Sequence, residues 1–343
     1  MDGQMEEQSA GESAEAVAVM RKIEDVVLHL LEQLGNEDDA APVELQMPTN
    51  SQGTKLQLTG RYLHKFSCTL KMLSEVYVLL STGQFATKRD LYYNCKQLYG
   101  DQGAVDRAIT LLCQILEEQR INLHVLSTAK GLLCGDLCYQ EWDGRWVECA
   151  DGVSVSSQAE WLTRLHSSAR FVLVVEKDAV YQKLMAEDFT KKFQPCILIT
   201  GKGYPDVATR TMLKQLVQSL HIPVYALVDA DPHGLEIFVT YKYGPKKPTF
   251  ENRHLEIPEM QLLGLLRTEV DSLPVAADQF LALSDVDRRK IDALQQRHSV
   301  RQDEILMRQL RAMEDAGTKL EIEAVSGLRP NYLTEAYLLN KLS

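Results

Sequence analysis

The most constraining part of this sequence is the stretch after Ser168, where apolar runs alternate with helix-like segments. Residues 171–175 are all apolar, as a strand buried on both faces requires. Strand-like runs recur at 196–200 and 224–228, and helix-like stretches connect the three runs. Such crossover connections predict a parallel α/β sheet. In sheets of this kind, ligands bind beyond the carboxyl ends of the strands.

Acidic residues follow two of these predicted strands. Glu176 comes directly after 171–175, and Asp229 and Asp231 follow 224–228. Residues two apart on an extended chain point to the same side, so the two aspartates can converge with Glu176 at one sheet edge. Mg²⁺ prefers carboxylate oxygens, and the pattern therefore predicts a magnesium site. The alternative is a solvated loop whose acids cap helices or turns.

A glycine-containing loop, residues 200–206, connects the second predicted strand to a helix. Gly201 and Gly203 let backbone amides approach an anion, and Lys202 adds a positive charge. The loop lacks the third glycine of a dinucleotide fingerprint and the length of a P-loop. We interpret it as a contact to a phosphate backbone, with a plain tight turn as the alternative.

The chain before this sheet has a different pattern, helical first and then strand-like. Helices are predicted at 65–80, 87–98 and 104–119, followed by a strand at 121–126 and a hairpin at 130–137. Helices followed by a small β wing are typical of winged-helix DNA-binding domains. We therefore predict an α/β plus winged-helix fold with three parts: an acidic extension at 1–60, a CAP-like winged-helix domain at 61–155, and a parallel α/β domain with C-terminal helical additions at 165–343.

The second predicted helix carries Lys88, Arg89, Tyr92 and Tyr93. Arg89 and Tyr93 are four apart and share a face, whereas Tyr92 is turned about 100° away. A tyrosine phenol has a pKa near 10, so a nucleophilic tyrosine needs a cation or a metal-linked base nearby. Arg89 could serve there, or it could hold a phosphate. The alternative is that both tyrosines pack in a core.

The net charge of the whole chain is −11 at pH 7. Taken alone, this value argues against a nucleic-acid binder, because such proteins usually present a basic surface. Residues 1–60 hold 12 acidic against three basic residues, so −9 of this charge lies there and −2 remains on the other 283 residues. The body of the chain is therefore nearly neutral and has room for a basic groove.

The acidic extension contains one amphipathic helix at 17–34, with apolar residues at helical spacing. An uncovered apolar stripe needs a partner or a neighbouring domain, so we predict that this helix docks. No run of 18 uncharged apolar residues and no secretory leader is seen, and seven cysteines follow no zinc spacing. We expect a soluble intracellular protein with reduced thiols and no membrane association.

Five motifs together resemble the A subunit of topoisomerase VI. They are Lys-Arg-Asp-Leu-Tyr-Tyr (88–93), Ala-Lys-Gly-Leu (129–132), Val-Val-Glu-Lys-Asp-Ala (174–179), Ile-Thr-Gly-Lys-Gly-Tyr-Pro-Asp (199–206) and Leu-Val-Asp-Ala-Asp-Pro-His-Gly (227–234). The sequence is more closely similar to the eukaryotic, animal-like meiotic branch, the transesterases whose double-strand breaks initiate recombination. The resemblance covers residues 60–343 in order, and the acidic motifs resemble the Toprim signature. Residues 1–60 resemble nothing that can be aligned residue by residue.

The resemblance implies roles for the residues singled out above. Tyr93 would be the nucleophile, assisted by Arg89, in a type IIB topoisomerase-like DNA transesterase that forms a 5′-phosphotyrosyl link. Glu176, Asp229 and Asp231 would hold Mg²⁺. The class hydrolyses ATP, although this chain has no ATPase motif. DNA contacts are expected at Lys88, Lys130, Gly201, Lys202, Arg210 and His233.

The resemblance also implies partners and a location. It implies a homodimer on double-stranded DNA in which Tyr93 of one protomer faces the carboxylates of the other. Other break-forming proteins and a topoisomerase VI B-like subunit would assist on meiotic chromosomes in the nucleus. The amphipathic helix, taken from Ala16 to Leu34, is our hypothesis for the B-like docking surface. Two other functions stay open: a non-cleaving DNA-binding scaffold, and a Toprim nuclease or primase that uses metal-activated water.

Overall fold

The computed structural model describes residues 2–35, 43–45, 56–60, 62–126, 129–246 and 254–342, with the side chains of 2–13 and 56–57 excepted. The chain divides into two compact units, one within residues 1–128 and the other within 129–343. The division therefore falls earlier than the interval 155–165 expected from the sequence.

The first unit is mainly helical. Its helices are α1 (Asp2–Gly35), α2 (Leu63–Thr82), α3 (Lys88–Asn94), α4 (Lys96–Tyr99) and α5 (Gln102–Leu116). Its strands are β1 (Glu44–Leu45), β2 (Leu56–Gln57), β3 (Ala86–Thr87) and β4 (Val125–Leu126). β1 pairs with β2 antiparallel and β3 pairs with β4 in parallel. The predicted strand at 121–126 is instead a 3-10 turn, Ile121–Leu123, followed by the two residues of β4.

The N-terminal helix α1 is covered on one face by its own unit. Val19 and Ile23 are buried in the hydrophobic core that α2 and α5 build. Leu31 and Leu34 remain exposed. The predicted docking is therefore met in part within the chain, because intramolecular packing already buries Val19, Ile23 and Leu30 of the apolar stripe.

The second unit combines a mixed sheet with helices. Its strands are β5 (Leu132–Gly135), β6 (Cys138–Gln140), β7 (Trp146–Glu148), β8 (Val153–Ser154), β9 (Arg164–His166), β10 (Val172–Val175), β11 (Ile197–Thr200), β12 (Val224–Leu227), β13 (Gln261–Gly264), β14 (Leu281–Ala282) and β15 (Thr318–Lys319). Its helices are α6 (Asp178–Ala186), α7 (Phe189–Lys192), α8 (Val207–Leu220), α9 (Pro232–Tyr243), α10 (Arg267–Val270), α11 (Asp285–Gln295), α12 (His298–Arg301), α13 (Glu304–Ala316), α14 (Ile322–Ser326) and α15 (Leu339–Leu342), with a π-helical turn at Leu333–Leu338.

The main sheet has six strands in the order β13, β12, β10, β11, β5, β8. β10 runs parallel to both β11 and β12, so the three predicted parallel strands are confirmed. Every residue of β10 and β11 is buried, which explains why the sequence shows continuous apolar runs there. The register pairs Val175 with both Thr200 and Leu227, so the loops that follow these strands lie at one sheet edge.

The hairpin predicted at 130–137 is wrong. β5 pairs antiparallel with β11, whereas β6 pairs with β7 and β9 in a separate three-stranded sheet. The cause is burial: Leu133 and Cys134 of β5 are fully buried, and only the main sheet can cover an apolar strand on both faces. Residues 130–155 therefore belong to the second unit, and no helix in the described ranges is long and apolar enough to cross a membrane.

Candidate active site

Helix α3 presents one tyrosine to solvent. Its first turn is a capping box, in which the Thr87 hydroxyl accepts from the Asp90 amide at 3.2 Å and the Asp90 carboxylate accepts from the Thr87 amide at 2.9 Å. Leu91 anchors the helix in the core. Tyr93 is 58% exposed, and the Arg89 guanidinium carbon lies 5.8 Å from the centre of its ring. A cation thus stands beside an accessible phenol, as the shared helical face predicted.

The neighbouring Tyr92 has a structural environment. Its hydroxyl donates to the Gly100 carbonyl at 3.2 Å, and its ring meets that of Tyr93 edge to face with centroids 5.3 Å apart. Tyr92 also packs against the hydrophobic core of the first unit. The packing interpretation therefore holds for Tyr92, whereas Tyr93 is accessible to solvent.

The acidic residues of the second unit lie at the predicted sheet edge. Glu176 directly follows β10 and is 7% exposed, and Asp229 lies just beyond β12 and is 2% exposed. The Glu176 Oε2 accepts a hydrogen bond from the Asp229 amide at 2.9 Å. The structure therefore brings these two carboxylates together, as parallel strands with aligned carboxyl ends require.

Asp231 is the N-cap of α9. Its Oδ1 accepts from the Gly234 amide at 2.6 Å, and Pro232 follows at the first helical position. This is the capping role that the alternative interpretation assigned to these acids. One carboxylate oxygen of Asp231 has no hydrogen bond from any described residue, so capping leaves it available to a ligand.

Burial controls the ionisation of the acidic pair. Burial, and then the charge of Asp229, raises the pKa of Glu176 well above its usual range. Burial likewise raises the pKa of Asp229, although Lys177 and the Ile322 amide act in the opposite direction. A buried pair of carboxylates with raised pKa values favours a nearby cation, since a cation lowers the cost of ionising both groups.

A cation that the sequence pattern did not single out, Lys177, already contacts this site. The Lys177 Nζ lies 2.8 Å from Asp229 Oδ2 and also contacts Glu321 and Glu323, which flank the start of α14. Lys177 directly follows Glu176 in the chain, and this adjacency is a sequence signal that could have pointed to it. Nothing in the sequence indicated the two glutamates, because they lie more than 140 residues away.

The acidic site fits a divalent cation in its donor chemistry, but it is not assembled as a complete coordination shell. The described residues contain no group of three Asp, Glu, His or Cys side chains placed to hold a metal ion. Asp229 Oδ1 accepts from the Ile322 amide at 2.8 Å, and its Oδ2 is paired with Lys177. The donors are all oxygens, which suits Mg²⁺ better than Zn²⁺.

The glycine loop directs its amides inward. The Gly203 amide donates to the Glu176 carbonyl at 2.8 Å, and the Lys202 amide donates to the Thr200 hydroxyl at 3.1 Å. A Cβ on Gly201 would lie 2.6 Å from the Tyr241 hydroxyl, so this glycine serves close packing. The backbone at Lys202 and Gly203 therefore forms the tight turn of the alternative interpretation, and the Lys202 side chain pairs with Asp178 at 3.6 Å.

Lys130 and Lys88 keep accessible side chains among the residues expected to bind DNA. Lys130 is exposed, with its amide donating to Asp206 at 2.8 Å. The Lys88 Nζ pairs with Asp106 at 2.7 Å on the surface of the first unit. A surface pair of this kind contributes about 0–1 kcal/mol, so Lys88 can exchange it for a phosphate at low cost.

Arg210 and His233 differ from these lysines. Arg210 is 2% exposed within α8, so it cannot reach a DNA phosphate, and that expectation is corrected. Its side chain lies on the face of α8 that packs against the interior. His233 is half-buried, with its Nε2 3.8 Å from Asp287.

Gly234 permits α9 to approach the acidic pair. A Cβ at this position would lie 2.6 Å from the Asp229 carbonyl oxygen and 2.9 Å from Glu176 Oε2. We expect Gly234→Ala to lower the free energy of unfolding by about 1–3 kcal/mol, because neighbouring backbone must shift. Urea denaturation measures this, with Gly35→Ala as control, since a Cβ there meets nothing within 4 Å. Equal stabilities for the two variants would contradict the close approach.

Comparison with protein-family models gives two matches. Residues 171–342 match the model of the Toprim domain of the topoisomerase 6 A subunit/Spo11 family, and residues 64–125 match the model described as "Type IIB DNA topoisomerase". The first match spans the six-stranded sheet's parallel strands and the acidic residues. The second spans α2 to β4 and includes Tyr93.

Relatives are found among animal proteins. The human "Meiotic recombination protein SPO11" is 42% identical over 304 residues, covering 88% of this chain and 77% of the relative. The mouse protein of the same name is 38% identical over 349 residues, covering 96% and 88%. The "Meiotic recombination protein spo-11" of Caenorhabditis elegans is 35% identical over 314 residues, covering 92% and 73%.

The parallel sheet with acidic residues at its edge, together with these matches, defines a protein with a Toprim domain in a mixed α/β fold, of the type IIB topoisomerase class. More specifically, the chain belongs to the family that joins the topoisomerase 6 A subunit with Spo11. The family resemblance inferred from the five motifs is thereby confirmed.

Proposed function

We infer that this chain cleaves double-stranded DNA by transesterification and makes the breaks that initiate meiotic recombination. The observation that carries this function is Tyr93, an exposed phenol beside Arg89 within the segment that matches type IIB topoisomerases. The names of the human and mouse relatives support the meiotic role. A scaffold without catalysis has no need of an exposed tyrosine and an acidic site together.

Tyr93 supplies the nucleophile. Its Oη attacks a backbone phosphorus, the bond to the 3′-oxygen breaks, and the 5′ end becomes a phosphotyrosyl ester. The phenol loses a proton and the departing 3′-oxygen gains one, so one phosphodiester replaces another and the bond chemistry needs no ATP. Arg89 stabilises the developing phenolate or the phosphate beside it.

Glu176, Asp229 and Asp231 are the residues that would hold Mg²⁺. When bound, this ion would offset charge on the phosphoryl oxygens and on the departing oxygen. The residues themselves orient the site: Glu176 holds the Asp229 backbone through its amide, and Asp231 fixes the start of α9. The raised pKa values of Glu176 and Asp229 mean that cation binding is coupled to proton release.

The first unit is the proposed winged-helix domain. Helices α2, α3 and α5 with the small β3–β4 pair support this assignment, and α3 carries the nucleophile. Lys88, Lys130, Lys202 and His233 contact the DNA backbone. These are phosphate contacts without base readout, so binding is weakly sequence selective and sensitive to salt.

The active form is a homodimer in which Tyr93 of one protomer meets the carboxylates of its partner. A topoisomerase VI B-like subunit supplies the ATP-dependent part of the cycle, because this chain carries only the cleavage chemistry. Among the described side chains of α1, Leu28, Leu31 and Leu34 are exposed, and they are a surface on which such a partner could dock. The protein acts in the nucleus on meiotic chromosomes with other break-forming proteins.

The test is a covalent-adduct assay on the purified chain with duplex DNA and Mg²⁺, with and without candidate partners. We expect DNA 5′ ends that carry protein after denaturation. Cut ends without attached protein would favour a Toprim nuclease that uses water. Binding without cutting under every partner condition would favour the scaffold.

A further inference from the structure

Lys177 lies inside the acidic site as a cation with three carboxylate neighbours. Its Nζ is 2.8 Å from Asp229 Oδ2, 2.9 Å from Glu323 Oε2 and 3.3 Å from Glu321 Oε2. Among described residues its ion pairs are to these three acids. The lysine thus contacts one of the proposed Mg²⁺ ligands and two carboxylates outside that set.

The contact with Asp229 is held in place by the segment that carries the other two acids. Ala230 pairs with Leu320 through backbone hydrogen bonds, and the Ile322 amide donates to Asp229 Oδ1 at 2.8 Å. Glu321 and Glu323 alternate with these anchoring residues. The arrangement therefore places both glutamates where they can hold the Lys177 ammonium.

The environments of the three carboxylates differ. Asp229 is buried, with 4% of its side chain exposed, whereas the side chains of Glu321 and Glu323 are 47% and 45% exposed. The Lys177 ammonium offsets a buried negative charge where it contacts Asp229. Its contacts with the two glutamates are exposed, so water can share them. A second cation brought to Asp229 would be repelled by Lys177 at short range.

We propose that Lys177 is the resident counter-cation of Asp229 and competes with a divalent metal for that carboxylate, with Glu321 and Glu323 retaining the ammonium when the metal binds. This inference rests on the metal role proposed above for Glu176, Asp229 and Asp231. Without metal, the lysine contacts Asp229 Oδ2 and holds the buried side chain in place. With metal, Asp229 exchanges one cation for another, and metal affinity is lower than the carboxylates alone would give.

The experiment measures binding of Mn²⁺ alone to the full chain, without DNA, from the free-ion signal in electron paramagnetic resonance. Lys177→Met keeps the length of the side chain and removes its charge, so we expect Mn²⁺ to bind at least tenfold more tightly. Lys177→Arg keeps the charge and should stay within threefold of wild type. Binding by Lys177→Met that is unchanged or weaker overturns the proposal, because it would make the lysine neutral or supportive toward metal.

Lys202→Met is the matched control for general electrostatics. It also removes one positive charge from the second unit, but Lys202 pairs with Asp178 at 3.6 Å and not with Asp229. We expect it to change the Mn²⁺ affinity by threefold or less. An equal gain in Lys177→Met and Lys202→Met would show that net charge, and not the Asp229 contact, sets the affinity, and this too would overturn the proposal.

Two outcomes separate this inference from the proposed function. If wild type binds Mn²⁺, Asp229→Asn loses it and Lys177→Met does not differ from wild type, only the competition fails. If neither wild type nor Lys177→Met binds Mn²⁺, the metal role and the competition fail together.

A second measurement uses the wild-type fold and does not depend on the stability of the methionine variant. Lysines are reductively methylated with ¹³C, and the Lys177 signal is identified by its loss in Lys177→Arg. Saturating Mg²⁺ should shift that signal as the ammonium leaves Asp229. A signal that stays in place while Mg²⁺ binds overturns the proposal.

Discussion

Replacing Tyr93 with phenylalanine is expected to abolish covalent protein–DNA adducts while leaving the fold intact. The substitution removes the attacking oxygen, so adduct formation should fall by at least about three orders of magnitude. The side chain is 58% exposed, and its hydroxyl has no hydrogen bond within the described residues. The free energy of unfolding should therefore change by less than about 0.5 kcal/mol. Adduct yield after denaturation and urea denaturation measure the two effects.

Tyr92→Phe is the matched control for this prediction. It deletes a hydroxyl from the adjacent residue of the same helix, and that hydroxyl donates to the Gly100 carbonyl. We expect stability to fall by about 0.5–1.5 kcal/mol while adducts persist. The opposite result, with adducts lost in Tyr92→Phe and retained in Tyr93→Phe, would reassign the nucleophile.

Replacing Glu176 with glutamine is expected to abolish DNA cleavage and to stabilise the metal-free protein at alkaline pH. The change keeps an oxygen that can accept from the Asp229 amide, so the local backbone contact survives. It removes a charge that burial and Asp229 make costly. Adduct formation and the melting temperature, measured in the presence of a chelator from pH 4 to pH 8.5, report the two effects separately.

The sign of the pH effect follows from the raised pKa of Glu176. Above the ordinary value of 4.5, the unfolded chain has released a proton that the folded chain still holds. Stability therefore falls as pH rises toward the raised pKa. Glu176→Gln removes this loss, so its melting temperature should match wild type near pH 4 and exceed it by a few degrees at pH 8.

Glu335→Gln is the control for the pH effect. Hydrogen bonds with Lys192 and Asn331 lower the pKa of this surface carboxylate, so removing its charge brings no gain at alkaline pH. A melting curve for Glu176→Gln that tracks wild type at every pH would contradict the buried-charge account. Retained cleavage in Glu176→Gln would remove its role as a metal ligand.

The apolar runs made the parallel sheet predictable, because strands buried on both faces leave a continuous hydrophobic signal. The meeting of Glu176 with Asp229 followed from the same signal, since the carboxyl ends of parallel strands align. The helical spacing of Arg89 and Tyr93 was also readable, because it depends only on local geometry.

Contacts between distant segments were not predictable. The local sequence of β5 predicts one strand of a hairpin with β6. In the structure, its apolar residues pair with β11, more than 60 residues later. The residue type of Arg210 predicts a cation on the surface, yet its side chain is buried on the inner face of α8. In each case, local sequence shows what a segment can bury but not which distant segment covers it.

The amino-acid sequence by itself determined the parallel sheet, the position of its acidic edge and the helix that carries Tyr93, because these depend on local periodicity and strand direction. Only the tertiary structure decided which tyrosine is exposed, that Val19 and Ile23 of α1 are buried within the chain, and that Lys177 pairs with Asp229, Glu321 and Glu323. Those features depend on packing and on charges brought together from distant parts of the chain, and no local pattern encodes either.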